Sequence, residues 1–165
     1  MENIDDLVFK KEELKEYKPE RKFEQVSYDS TGIIPIRADK GSAGYDFYTP
    51  KNIVLDPGDK IAVKTNIKVK MEEDEVLLLF VRSSIGIKKD LMLSNIVGVI
   101  DSTYYNNPNN EGNIICSLYN YGNQQQTIKA GERIVQGVFM KYLTTTENDV
   151  VLNAVRTGGI GSSGV

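Results

Sequence analysis

Residues 60–71 read KIAVKTNIKVKM, and after three acidic residues the chain continues with EVLLLFVRS at 75–83. The first segment alternates apolar and polar side chains, most clearly at Ile67 and Val69, as in a strand with one face in the core. The second begins as a continuous apolar run of strand length, which is typical of a buried strand. Both segments therefore predict β-structure.

Similar short apolar segments follow along the chain, separated by turn sequences. They are LMLSNIVGVID at 91–101, NIICSLYNYG at 113–122, ERIVQGVFMKYL at 132–143 and NDVVLNAV at 148–155. The turn sequences are DPGD at 56–59, NPNN at 107–110 and KAGE at 129–132. Many short strands at such spacing predict an all-β sandwich or barrel.

Length and composition narrow the classes of function. The chain has 165 residues, a net charge of −3, no histidine and a single cysteine, Cys116. The charge argues against a general affinity for nucleic acid or membrane. Lack of histidine excludes catalytic triads and dyads that contain it, and one cysteine cannot form a disulfide framework. Without a signal-peptide pattern or a long apolar run, we expect a cytoplasmic protein.

The first 25 residues differ from the rest in being highly charged, with weak helical spacing ended by Pro19. We predict a charged N-terminal extension at 1–25, a β-barrel at 26–150, and a C-terminal arm with a glycine-rich lid at 151–165.

The last ten residues, RTGGIGSSGV at 156–165, contain the spacing G-x-G-x-x-G. No helix pattern follows these glycines, so a dinucleotide-binding fingerprint is not predicted, and the P-loop pattern is absent. The backbone amides of such a segment can still surround an anion. Ser162 and Ser163 add hydroxyl donors, and Arg156 adds a cation suited to phosphate.

Four further segments precede this tail: GSAGYDF at 41–47, RSSIG at 82–86, GVIDSTYYN at 98–106 and GERIVQ at 131–136. In this order, with the glycine-rich tail last, they resemble the five motifs of the homotrimeric deoxyuridine triphosphatases (dUTPases). The resemblance covers about residues 34–165. It implies a jelly-roll type β-barrel, and a trimer with an exchanged C-terminal segment in which each active site draws on all three chains. It also implies hydrolysis of dUTP to dUMP and pyrophosphate, which keeps uracil out of DNA, with Mg²⁺ held by the triphosphate and waters.

The resemblance assigns a role to individual residues. Asp101 matches the carboxylate that activates the attacking water, a task that needs a fixed base in a chain without histidine. Tyr104 matches the ring beneath the deoxyribose, and Asp46 matches a supporting residue that orients Arg82. The matched phosphate contacts are Arg82, Ser83, Ser84 and Gln136. The positions matched to the uracil slot are Asn95, Val99, Ile100 and Ile115. The tail contacts with substrate are Arg156, Ile160, Gly161, Ser162 and Ser163.

Two departures from the family pattern stand out. Ile160 occupies the place of a phenylalanine that stacks on uracil, and we consider Tyr105 as a replacement for that ring. The third motif also continues as YYNNPNNEGNII, longer by about five residues at 106–111.

Two alternatives remain open from the sequence. The charged extension and the long third motif suit a dUTPase-fold module that binds a regulatory protein partner under nucleotide control. A dCTP deaminase-related enzyme is the other, although the glycine-rich tail argues against it.

Overall fold

The computed structural model describes residues 18–147. Strands dominate this part of the chain, with one α-helix, α1 (Ser83–Lys89), and a short 3-10 helix at Ser102–Tyr104. The strands are β1 (Lys22–Gln25), β2 (Ile36–Arg37), β3 (Tyr45–Tyr48), β4 (Ile53–Leu55), β5 (Lys60–Lys64), β6 (Ile67–Lys70), β7 (Glu75–Val81), β8 (Leu91–Leu93), β9 (Gly98–Asp101), β10 (Ile115–Asn120), β11 (Gln126–Ile128) and β12 (Arg133–Lys141). The all-β prediction is confirmed.

All strand pairs among the described residues are antiparallel. The largest sheet has the order β2-β3-β12-β7-β9, and a second has the order β5-β10-β8. Two-stranded sheets join β1 to β6 and β11 to β4. Neighbours in the sheets are often distant in sequence, so the fold depends on long-range pairing.

Within residues 18–147 the buried core is mostly aliphatic, and Phe47 is its one aromatic residue. Leu77 and Leu79 of β7 are fully buried, together with Leu118 of β10 and Ile134 of β12. The intervening residues of β7 are less covered, and Phe80 is 36% exposed. The apolar run in β7 predicted a buried strand, but within this chain only one face of β7 is fully covered by other residues.

The predicted segment at 60–71 forms two strands, β5 and β6. The chain turns at Thr65 and Asn66, where Asn66 has a φ of 58°, a conformation that asparagine tolerates better than most residues. Both turn residues are buried, and the Thr65 hydroxyl donates to the Ile114 carbonyl (2.9 Å).

Lys22–Gln25 were predicted to belong to the charged extension. The structure corrects this prediction, because these residues form β1. Phe23 pairs with Val69 of β6, and its ring lies 5.2–5.6 Å from the rings of Tyr45, Phe47 and Phe139. The charged neighbours of a single inward-facing aromatic residue concealed this strand. Within residues 18–147, no helix is long and apolar enough to cross a membrane.

Candidate active site

The predicted phosphate-binding residues lie at one end of the five-stranded sheet. Arg82 follows β7 directly, and Ser83 and Ser84 begin α1. β12 pairs with both β3 and β7, so that Gln136 lies opposite Asp46 on one side and Phe80 on the other. Residues from three separate motifs therefore meet at this end of the sheet.

Asp46 joins two arginines at this place. Its carboxylate forms an ion pair with Arg82 Nε at 3.0 Å and accepts a hydrogen bond from an Arg133 terminal nitrogen at 3.2 Å, and the residue is only 6% exposed. The expected contact between Asp46 and Arg82 is thus present. The second contact, with Arg133, was not predicted, although the segment GERIVQ contains that arginine.

The structure explains why a glycine, Gly44, lies two residues before Asp46. A Cβ atom at Gly44 would lie 2.7 Å from Gln136 Oε1, closer than van der Waals contact allows. The missing side chain leaves room for the amide of Gln136 beside Asp46.

Two concave surfaces adjoin these residues. A cavity of about 270 Å³ is lined by Gly44, Asp46, Phe80, Arg82 and Gln136, among others. A groove of about 770 Å³ on the other side of Arg82 is lined by Ser84, Arg133 and the α1 lysines 88 and 89, among others. Guanidinium, ammonium, hydroxyl and amide donors thus converge here, which suits the oxygens of a polyphosphate. The two lysines were not among the predicted site residues.

The predicted base and sugar contacts lie elsewhere. Val99 and Ile100 belong to β9, with Val99 59% exposed and Ile100 packed against the core. Asn95 is exposed in the turn between β8 and β9, next to Ile96, whose φ of 65° is unusual for a β-branched residue. Ile115 begins β10. The amide of Ser94 donates to the Ser117 carbonyl (2.8 Å), which brings the Asn95 turn beside the start of β10.

Asp101 ends β9 and Tyr104 ends the 3-10 helix that follows. The hydroxyl of Thr103 donates to Asp101 Oδ1 at 2.5 Å, so the carboxylate is held by a residue two positions away. Tyr104 is 5% exposed, and its hydroxyl donates to the Asn113 carbonyl at 2.9 Å. A carboxylate at a strand end beside a fixed aromatic ring can hold a water molecule and cover one face of a small ring.

The two groups of residues are separated within one chain. β9 pairs with β7 so that Asp101 lies opposite Val76, whereas Arg82 is six residues further along. At the rise of a strand this separates the two Cα atoms by about 20 Å. A single chain therefore does not bring Asp101 to the phosphate-binding residues.

Tyr105 does not lie free beside the base and sugar contacts. Its hydroxyl donates to the Glu24 carboxylate of β1, and Lys68 Nζ lies 5.4 Å from its ring centre. The pKa of Tyr105 is raised, first because of the hydrogen bond to Glu24. The Tyr105 ring is thus held against β1 and β6, and its role as a replacement for the stacking ring stays a prediction.

The five predicted tail contacts lie outside the described residues. They are Arg156, Ile160, Gly161, Ser162 and Ser163.

Comparison with known proteins gives one consistent result. A family model described as dUTPase matches residues 30–164. The deoxyuridine 5'-triphosphate nucleotidohydrolase of Lactococcus lactis is 43% identical over 146 residues, covering 87% of this chain and 97% of that protein. The protein of the same name from Neisseria meningitidis is 32% identical over 139 residues, covering 81% and 89%.

Comparison of the fold with solved structures also identifies a dUTPase. The crystal structure of the dUTPase from Streptococcus mutans superposes with a TM-score of 0.70 at 44% identity, covering 75% of this chain and 98% of that one. The predicted jelly-roll type β-fold is thereby confirmed.

Proposed function

The chain belongs to the dUTPase family, and from this we infer that it is a dUTP diphosphatase, which hydrolyses dUTP to dUMP and pyrophosphate. The observation that carries this inference is the 43% identity over nearly the whole of the L. lactis nucleotidohydrolase. The activity removes dUTP before its uracil can enter DNA, and it supplies dUMP.

We propose that Asp101 is the general base. A water held by its carboxylate attacks the α-phosphorus, and its proton passes to Asp101 as the new P–O bond forms. The bond between the α-phosphorus and the oxygen that bridges to the β-phosphate breaks, and pyrophosphate leaves. The Thr103 hydroxyl, 2.5 Å from Oδ1, supports this role because it fixes the direction of the carboxylate.

Arg82, Ser83, Ser84 and Gln136 would bind the phosphates and stabilise the charge that develops on the leaving pyrophosphate. The contact of Asp46 with two guanidinium groups supports a positioning role, because it fixes Arg82 at the end of β7. Arg82 is 24% exposed and can still present its outer nitrogens to a phosphate.

The chain is proposed to act as a homotrimer. The separation of about 20 Å between Asp101 and Arg82 along β7 supports this arrangement, because both groups must reach the same triphosphate. A neighbouring chain would supply the phosphate-binding end, and the tail of the third chain, with Ile160, would cover the base.

Mg²⁺ is proposed to enter with the triphosphate. This ion keeps several water ligands and prefers substrate phosphates as further ligands. The side chains fit that arrangement, because Asp46 is paired with two arginines, and within residues 18–147 no cluster of three or more carboxylate or thiol groups could hold the ion directly. Bound to the phosphates, Mg²⁺ would neutralise their charge.

A cytoplasmic location is also proposed. The single cysteine, Cys116, is free and buried, which suits a reducing compartment.

The test is a pyrophosphate-release assay with dUTP as substrate. We expect turnover by the wild-type protein, and a loss of about 10²-fold or more in kcat for Asp101→Ala with dUTP binding retained. Asp74→Asn, at a carboxylate exposed on the surface, is the matched control and should keep full activity. Full activity in Asp101→Ala would remove this residue as the base.

Shared active sites can be tested by mixing two inactive variants. Asp101→Ala and Arg82→Ala are assembled together from equal amounts of unfolded chain. If each site takes Asp101 from one chain and Arg82 from a neighbour, random assembly leaves about one quarter of the sites intact. Mixtures with no activity above that of the separate variants would contradict sharing.

The comparisons do not favour the two alternatives, a regulatory binding module and a dCTP deaminase-related enzyme. Assaying dUTP and dCTP side by side, for pyrophosphate and for ammonia, separates the proposed activity from deamination.

A further inference from the structure

The insertion loop, residues 106–111, directs two of its asparagine side chains, Asn107 and Asn110, to hydrogen bonds with Tyr104. Asn107 is 4% exposed, and Asn113, which follows the loop, is fully buried. Both are amides that need hydrogen-bond partners when they are removed from water. Their partners connect the loop to Tyr104 and to the N-terminal part of the chain.

The Tyr104 hydroxyl is held from two sides. It donates to the Asn113 carbonyl at 2.9 Å and accepts from Asn110 Nδ2 at 2.8 Å. These bonds act on the far end of the side chain, whereas the backbone holds the near end. Together they fix the tilt of the ring as well as its position.

The direction of the Asn110 amide is itself determined. Its Oδ1 accepts from Asn107 Nδ2 at 2.6 Å and from the Gly112 amide at 3.0 Å. Two donors on the oxygen leave the nitrogen to face Tyr104. Asn110 therefore acts as a donor to this hydroxyl.

A residue far away in sequence completes the arrangement. Tyr28 accepts from Asn113 Nδ2 at 2.9 Å, and its own hydroxyl lies 3.4 Å from the Asn110 carbonyl oxygen, to which it donates. The adjacent Ser27 donates its amide to Glu111 Oε2 at 3.0 Å. The segment after β1 thus holds both the loop and the residue that follows it.

We propose that Asn110 and Tyr28 are positioning residues that fix the ring of Tyr104, and through it the preference for deoxyribose over ribose. The proposal rests on the proposed function, in which that ring lies beneath the sugar of dUTP. A ribose differs from a deoxyribose by one oxygen atom, the 2′-hydroxyl. The Tyr104 ring can exclude that atom only if the ring is held in place to within a fraction of an atomic radius. A ring without hydrogen bonds at its hydroxyl can tilt by more than that.

The experiment compares kcat/KM for dUTP with kcat/KM for UTP. Asn110→Asp keeps the acceptor oxygen for Asn107 and Gly112 but removes the donor to Tyr104. Tyr28→Phe keeps the ring and removes the hydroxyl, which accepts from the Asn113 amide and donates to the Asn110 carbonyl. We expect the dUTP/UTP ratio to fall about tenfold in Asn110→Asp and about threefold in Tyr28→Phe.

Two control variants separate positioning from general damage. Asn109→Ala changes an exposed asparagine of the same loop. Tyr142→Phe removes a hydroxyl that donates to the Glu73 carbonyl, an exposed contact outside the insertion loop. Both should keep the wild-type ratio. Thermal unfolding of every variant shows which of them are folded, and Asn110→Ala serves as a second variant should Asn110→Asp fail to fold.

The outcomes are distinct. A wild-type chain that does not hydrolyse dUTP would overturn the proposed function and the positioning role with it. An active wild type, together with Asn110 variants that keep its dUTP/UTP ratio, would overturn positioning alone. The same holds if those variants lose thermal stability without any change in the ratio, since that is the behaviour of a purely structural residue.

Discussion

Replacing Asp46 by asparagine is the sharpest test of the phosphate-binding end of the site. The substitution keeps the size of the side chain and one acceptor oxygen, but it removes the charge between Arg82 and Arg133. We expect a less stable protein, because two guanidinium groups then face each other without the carboxylate that separates them.

The magnitude follows from the exposure of the partners. The Asp46 side chain is 8% exposed and Arg82 is 24% exposed, so their ion pair of 3.0 Å is partly shielded from water. Removing one partner of a fully buried ion pair costs about 3–5 kcal/mol, and the partial exposure of Arg82 lowers that cost. Arg133 is 46% exposed, and its pair with Asp46 is therefore discounted to less than about 1 kcal/mol.

Because asparagine retains one acceptor, we expect a loss of about 2 kcal/mol in the free energy of unfolding. For a chain of this size that lowers the midpoint of thermal unfolding by about 4–8 °C. The midpoints are measured by circular dichroism at one fixed protein concentration, since assembly makes them depend on concentration.

Asp74→Asn is the matched control, because Asp74 pairs with Lys141 on the surface, where both side chains are more than half exposed. Its midpoint should match that of the wild type. A double-mutant cycle of Asp46→Asn with Arg82→Ala should give a coupling energy of at least about 0.5 kcal/mol. An Asp46→Asn midpoint within about 1 °C of the wild type would refute the reasoning, since by the usual scaling it leaves no room for a shielded ionic bond.

Three further outcomes are expected. Cys116 is 1% exposed and burial raises its pKa to about 12, so a thiol reagent should label it in the unfolded protein and leave the native protein unlabelled. Gly112 and Gly58 both have φ above 80°, but a Cβ at Gly112 would lie 2.5 Å from the Tyr104 carbonyl oxygen whereas Gly58 has open space. Gly112→Ala should therefore lower the unfolding midpoint several times more than Gly58→Ala, and equal midpoints would contradict the contact. The pKa of Glu111 is lowered to about 2 because a serine hydroxyl and amide donate to it. Its stabilisation is present above the ordinary pKa and is lost as the pH falls toward 2, so the midpoint difference between the wild type and Glu111→Gln should narrow below about pH 4.5.

Local patterns in the sequence were sufficient for much of the fold. Alternation in 60–71 and the apolar run in 75–83 predicted β5, β6 and β7, because the period of side chains along a strand is visible in consecutive residues. β1 was missed, since its only strongly apolar residue, Phe23, lies among charged neighbours. Its partners in the aromatic cluster are 22 or more residues away.

The contacts of the candidate site also fall into those that the sequence predicted and those that it did not. Family motifs identified Arg82 and Asp46, and the contact between them was expected. The hydrogen bond from Asn113 to Tyr28 joins residues that are 85 positions apart. No pattern in consecutive residues of either segment predicts it. The contact of Tyr105 with Glu24 was not predicted for a related reason, because the two residues lie 81 positions apart in sequence.

The distance along β7 between Asp101 and Arg82 has a consequence for how activity scales with protein concentration. If both residues act on one nucleotide, a correctly folded but solitary chain is inert. Specific activity would then decline on dilution as the assembly comes apart, while the folded content of each chain stays constant. A chain that lost only one of the two residues would still contribute the other to a neighbour's site, so a mixture of equal parts damaged and intact chains would keep about half of its sites.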